Sequence, residues 1–270
     1  MLIAAVSLLS FYSAIGMLVA AAIARPPTGP GFWRLTLLIA ISGGGLGVGL
    51  RISPLGRSLP AIPNIVAGLL SVGMIGILIF GVRTIIQPQQ SHYVWLSTGT
   101  AAIVAGTLAD PVLWPATTNM GNGTAITFAL GLALTPLTLG SVLLAMILAH
   151  WYLIEPKLPL DSLQRVLLLF GTAVSLKAIL LVVVVVIHWQ EWNSQPGGLV
   201  RALVLGDALF VAVRGVLGMA APLALTWLAW KTVEIRSIQS ATGILYSAIV
   251  FVLFGDVISV YLSLATGQPF

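Results

Sequence analysis

The chain has 270 residues, of which 59% are hydrophobic and only 7% charged, whereas an ordinary soluble domain is about 25% charged. So few charges cannot cover a water-facing surface, so residues 1–270 read as one all-α, polytopic membrane domain whose first partner is the lipid bilayer. The net charge of +5 comes from basic residues set singly at segment ends, which excludes a nucleic-acid interface, and the lack of cysteine excludes disulfides, thiolate metal sites and c-type haem.

About 20 apolar residues cross a bilayer as a helix, and eight such runs follow one another. The first, 2–24, has no basic residue before Arg25. It therefore lacks the charged start of a signal peptide and is expected to be a retained helix. The second, 32–52, holds "SGGGLGVG" at 42–49. With no preceding strand and no following Lys-Ser/Thr, this is not a phosphate loop. The spacing of Gly43 with Gly47, and of Gly45 with Gly49, instead suits close approach of a neighbouring helix. The third run is 62–86. The fourth, 93–113, is only mildly apolar because of "STGTAA", and His92 opens it.

The fifth run, 124–154, contains Pro136, which removes the bond that would satisfy the Leu132 carbonyl. It closes on "AHWYLIEP", with His150, Tyr152 and Glu155. "DSLQ" at 161–164 has the form of an N-cap, with Asp161 accepting from free N–H groups and Gln164 reaching back. It starts the sixth run, 163–189, which carries Lys177 and ends near His188. The seventh, 199–230, carries Asp207, Arg214 and Pro222, the last freeing the Gly218 carbonyl. The eighth, 239–266, carries Asp256.

Loop charge predicts an orientation. Loops after odd-numbered spans hold Arg25, Arg34, Arg83, Lys157, Arg165, Lys231 and Arg236, and those after even-numbered spans hold only Arg51, Arg57 and Arg201. Basic loops stay cytoplasmic, so both termini are expected on the outer side of a cell membrane, such as a bacterial inner membrane. Trp33, Trp95, Trp114, Trp151, Trp189, Trp192, Trp227 and Trp230 all fall near span ends, where an amphipathic ring prefers the headgroup level.

A charge at the bilayer centre costs about 2.5–3.5 kcal/mol on insertion scales. Lys177, Asp207, Arg214 and Asp256 meet that cost on the last three spans. Asp207 and Arg214 lie two turns apart on one helix face, about 10 Å along the axis, so each is expected to pair across to another helix, with Lys177 and Asp256 as the candidate partners. Two acids and two bases balance, as a buried network requires. Such a set can pass protons or ions, hold a polar ligand, or simply lock helices together.

His92 and His150 are expected at one membrane face and His188 at the other, which makes a bis-histidine haem b site unfavourable. A quinone asks for an apolar slot and one or two donors. His150, with Tyr152, Glu155 and His92 near the same face, supplies candidates for it.

No catalytic signature or metal-binding HExxH is present. In span number and size alone the chain resembles the quinol-oxidising membrane anchors of polysulfide and dimethyl-sulfoxide reductase complexes, with none of their motifs matched. The first functional expectation is therefore an integral subunit of a respiratory or photosynthetic electron-transfer complex. It would anchor other membrane or peripheral subunits, bind quinone near His150, and handle protons through the buried charges. The alternatives are a secondary transporter or ion pathway with a midplane charged site, and a purely structural scaffold.

Overall fold

A computed structural model describes residues 2–53, 62–87, 93–110, 122–193 and 213–266. The described residues form helices and no strand: α1 (Leu2–Ala24), α2 (Pro30–Ile52), α3 (Asn64–Ile86), α4 (Tyr93–Leu108), α5 (Asn122–Ile154), α6 (Asp161–Asn193), a π turn (Arg214–Ala220) continuing into α7 (Ala221–Glu234), and α8 (Ile238–Thr266). Seven are long and apolar enough to cross a membrane, counting the π turn and α7 together. The chain is a multi-pass membrane helix bundle. The expected fourth span is shorter than the rest, covering only the 16 residues of α4, and positions 111–113 lie outside the described residues.

The exterior is apolar where a soluble protein would be charged. Leu38, Val72, Leu168, Val182, Val216 and Phe254 all stand on the outside at 60% exposure or more. Lipid is the only solvent in which such a surface lacks a penalty.

The most enclosed helices are α1 and α5. Tyr12, Met17, Ala20 and Ala21 of α1 are buried, as are Val142, Leu144, Leu148 and Ala149 of α5. The two run side by side and touch backbone to backbone. A Cβ on Gly16 would fall 1.5 Å from the Pro136 carbonyl oxygen, and one on Gly140 would fall 2.0 Å from the Gly16 carbonyl carbon. Without a hydrophobic force between helices in lipid, such close van der Waals packing is what holds them. Glycines also join α3 to α4, where Gly73 and Gly76 meet Gly99.

The glycines of α2 divide. A Cβ on Gly43 would come within 3.3 Å of the Ser10 carbonyl, and one on Gly47 within 2.7 Å of the Ser7 carbonyl. The Ser7 hydroxyl donates to the Gly47 carbonyl at 2.7 Å. Gly45 and Gly49 have nothing within 4 Å. So one of the two expected pairs packs on α1, and the other packs on none of the described helices.

Three other expectations need correction. The Gln164 N–H donates to the Leu160 carbonyl at 3.0 Å. Leu160 is therefore the cap, and Asp161 is the first helical residue, where its carboxylate still meets the positive helix end. Trp33 is buried rather than belted at an interface. It packs edge-on against Phe80 with ring centres 4.9 Å apart, in a cluster with Phe32, Tyr93 and Trp151. Pro222 does not simply open a gap. The Ala221 N–H reaches back five residues to the Val216 carbonyl, so the helix widens into a π turn just before the residue that has no N–H to give.

Two turns at the end of the bundle where α1 and α7 finish carry arginine in the left-handed conformation, Arg25 (φ 44°) and Arg236 (φ 56°). Glycine usually takes that place. Arginine there brings positive charge to the negative ends of the helices, and the Arg25 Nε donates to the Ala22 carbonyl at 3.2 Å.

Candidate functional site

Three of the four expected buried charges come together. At 1.5 Å per residue, Lys177 lies roughly 24 Å along α6 from Asp161, and Asp256 roughly 27 Å along α8 from Ile238. Thr138 lies roughly 24 Å back from Ile154 and Arg214 roughly 30 Å back from Glu234. The four positions reach one depth because the helices alternate in direction.

Close packing of small residues sets their approach. Gly218 and Gly255 touch, with a Cβ on Gly255 only 2.4 Å from the Gly218 Cα. That contact presses the π turn onto α8 one turn beyond Arg214 and one residue before Asp256.

The Lys177 ammonium forms an ion pair and hydrogen bond with Asp256 Oδ1. The Thr138 hydroxyl donates to Asp256 Oδ2 at 3.0 Å, so both carboxylate oxygens are engaged. Lys177 is 1% exposed, Arg214 2% and Asp256 5%. Arg214 feels the Asp256 charge. Yet among the described residues nothing accepts a hydrogen bond from its Nε or Nη1. The described cluster thus holds two cations and one anion in a water-poor interior. The fourth expected member, Asp207, lies outside the described residues.

The local backbone is irregular on both flanks. Arg214 opens the π turn, and Pro136 sits inside α5 two residues before Thr138. In membrane proteins, broken helix geometry at depth is tolerated where it is buried in protein or lines a polar path.

Of the expected quinone residues, the three that are described, His150, Tyr152 and Glu155, do not face one site. His150 is exposed on α5. Tyr152 is buried, and its hydroxyl donates to the Pro159 carbonyl, pinning the α5–α6 turn. Two residues apart on a helix, His150 and Tyr152 point to different sides. Glu155 is half-buried, and its carboxylate faces the α1–α2 turn, 3.8 Å from where a Cβ on Gly29 would lie. His92 lies outside the described residues, as does Trp114. Among the described residues no three His, Asp or Glu side chains gather to hold a metal.

A second buried ion pair was not anticipated. Arg51, at the end of α2, meets Asp110, just past the end of α4, through both guanidinium Nη atoms. The Nη2–Oδ1 distance is 2.7 Å, and the side chains are 7% and 4% exposed. Both charges act on the buried Tyr12 hydroxyl, which has no partner among the described residues. Arg51 precedes "ISP" and Asp110 precedes "PVL", and both read as ordinary loop edges. The usable signal was topological: successive hairpins return the ends of α2 and α4 to the same face. Asp110→Asn removes the carboxylate that both Nη atoms of Arg51 meet and is expected to destabilise the bundle by about 3 kcal/mol. Thermal unfolding in a fixed detergent measures this, and the charge-swapped double variant Arg51→Asp/Asp110→Arg should recover part of the loss.

Compared with known proteins, the chain matches no family model, no curated protein and no solved structure.

Proposed function

We propose that this chain is an ion or proton pathway, or a transporter of a small charged solute, and that Lys177, Asp256 and Arg214 form its working centre. The observation that carries the reading is Arg214. An arginine 2% exposed, with two donor nitrogens unanswered among the described residues, is costly in a structure meant only to hold helices. It is useful where an anionic group or a proton carrier visits. The neighbouring Lys177–Asp256 pair supplies a proton donor and acceptor, and the Thr138 hydroxyl extends the polar path toward α5.

In this reading the basic loops face the cytoplasm and the centre lies between the two membrane surfaces. The electron-transfer subunit remains the second reading. Its support is the small amount of chain outside the helices within these 270 residues, a layout that suits a membrane anchor for partner subunits.

The test uses the purified chain in liposomes loaded with a pH-sensitive dye, under an imposed ion gradient. Asp256→Asn is expected to slow flux at least tenfold, because it removes the acceptor of the centre. Wild-type vesicles no leakier than protein-free ones would sink the transport reading. Redox subunits that co-purify in mild detergent would favour the electron-transfer one.

A further inference from the structure

A separate feature lies in the first half of the bundle. Helices α1 to α4 line a cavity of about 230 Å³ whose lining, including Phe11, Ile15, Gly44, Gly45, Met74 and Ile77, is almost entirely apolar. It is closed toward one end by the aromatic cluster, where Trp33 packs on Phe80 and a Cβ on Gly81 would lie 2.8 Å from Leu37. Toward the other end, α2 is tied to the end of α4 by Arg51 and Asp110. Between these closures α2 and α3 stand apart, and the cavity opens sideways past Ile41 and Met74, which are 40% and 36% exposed.

The lining decides what can occupy it. Water needs two to four polar partners, and no polar side chain lines the cavity. A quinone ring would leave its carbonyls without donors. A partner's helix, about 10 Å across with its side chains, needs more room than a volume of about 230 Å³ offers. The volume exceeds the roughly 150 Å³ of a dry cavity that accepts benzene, and leaving it empty would cost the lining atoms their contacts. The opening faces the hydrocarbon layer, which supplies flexible apolar chains at high concentration.

The two glycines fit the same picture. Gly45 has nothing within 4 Å of a Cβ, and a Cβ on Gly44 would make only an ordinary 3.7 Å contact with Ala14. Neither is needed to bring α1 and α2 together, unlike Gly47. Each keeps volume open at the cost that glycine carries inside a helix.

We propose that this slot seats one acyl chain of a bilayer phospholipid as a fixed part of the fold, wedged between α2 and α3. It rests on different residues from the charged centre and stands whether or not that centre conducts.

The test reconstitutes the full chain in vesicles of phosphatidylethanolamine and phosphatidylglycerol doped with a phospholipid carrying a photoreactive diazirine in its acyl chain. After irradiation, labelled peptides are mapped by mass spectrometry. Label is expected on 41–48 and 70–77 several-fold above the openly lipid-facing stretch 176–186 of α6, where Leu176, Ile179, Val182 and Val186 are exposed. Gly45→Leu should fill the slot and bring its label down to the α6 level. Gly49→Leu, also in open space but outside the slot, should leave the label in place. Native mass spectrometry of the detergent-washed wild type should retain one phospholipid per chain, a readout that does not depend on any variant folding. Equal labelling of slot and α6 in the wild type, or no retained phospholipid, would overturn the proposal. So would displacement of the label by an isoprenoid quinone but not by excess phospholipid.

Discussion

Asp256→Asn is expected to destabilise the bundle more than Lys177→Met, although the two side chains form one ion pair. The reason is the third charge. Removing the lysine leaves Asp256 still within the electrostatic reach of Arg214, with no direct ion pair between them, so a counter-charge remains nearby. Removing the acid leaves two cations, Lys177 and Arg214, in a buried site with no described carboxylate between them. Losing one partner of a buried pair costs about 3–5 kcal/mol when the survivor is uncompensated, and Asp256→Asn belongs there. Lys177→Met exchanges the pair for a neutral side chain and a redirected carboxylate, and should cost about 1–2 kcal/mol. The double variant returns the cluster to its original charge surplus and should fall between the singles. Unfolding midpoints in one detergent, at one pH, give the ranking. Equal losses from the two singles would show that Arg214 does not share the carboxylate. A double variant milder than Lys177→Met would place Arg214's counter-charge outside this cluster.

The cluster was legible in the sequence because lipid makes charge conspicuous. Lys177, Arg214 and Asp256 interrupt long apolar runs, and each such interruption costs enough to require a partner. The partners themselves were not legible. Which acid meets which base depends on helix rotation and on contacts such as Gly218 with Gly255, and a single sequence does not encode these as a pattern. Arg51 and Asp110 escaped for the opposite reason. At the edges of apolar runs, next to prolines, they looked like residues that water would solvate, and only the folded chain encloses them. The aromatic and histidine residues near "AHWYLIEP" marked a membrane face, as their chemistry predicts, but shared depth is not a shared surface. Tyr152 turns inward to hold the Pro159 carbonyl while His150 faces out. Span positions were the easiest feature to read, because length and hydropathy alone decide them. The central role of α1 was not readable, since its composition matches that of helices on the periphery.

Glycine substitutions at the α1–α5 crossing should be among the most damaging single changes in the chain. In Gly16→Ala the new methyl would overlap the Pro136 carbonyl oxygen at 1.5 Å, and in Gly140→Ala it would meet Gly16 backbone atoms at 2.0–2.3 Å. Nothing flexible stands in the way to yield, so the two helices must separate, and each change is expected to cost more than about 4 kcal/mol. Alanine at Gly49, where a Cβ meets nothing within 4 Å, should instead gain up to about 1 kcal/mol through helix propensity. Comparing the three variants under one denaturation protocol separates crowding from propensity, because the chemical change is the same each time. The consequence should extend to the charged centre. Thr138 lies between Pro136 and Gly140 on α5 and holds Asp256 Oδ2 at 3.0 Å. A displaced α5 loosens that bond, so whatever Gly140→Ala protein still folds should lose flux, while Gly49→Ala should keep it. Full flux in a folded Gly140→Ala variant would show that the centre does not depend on the position of α5.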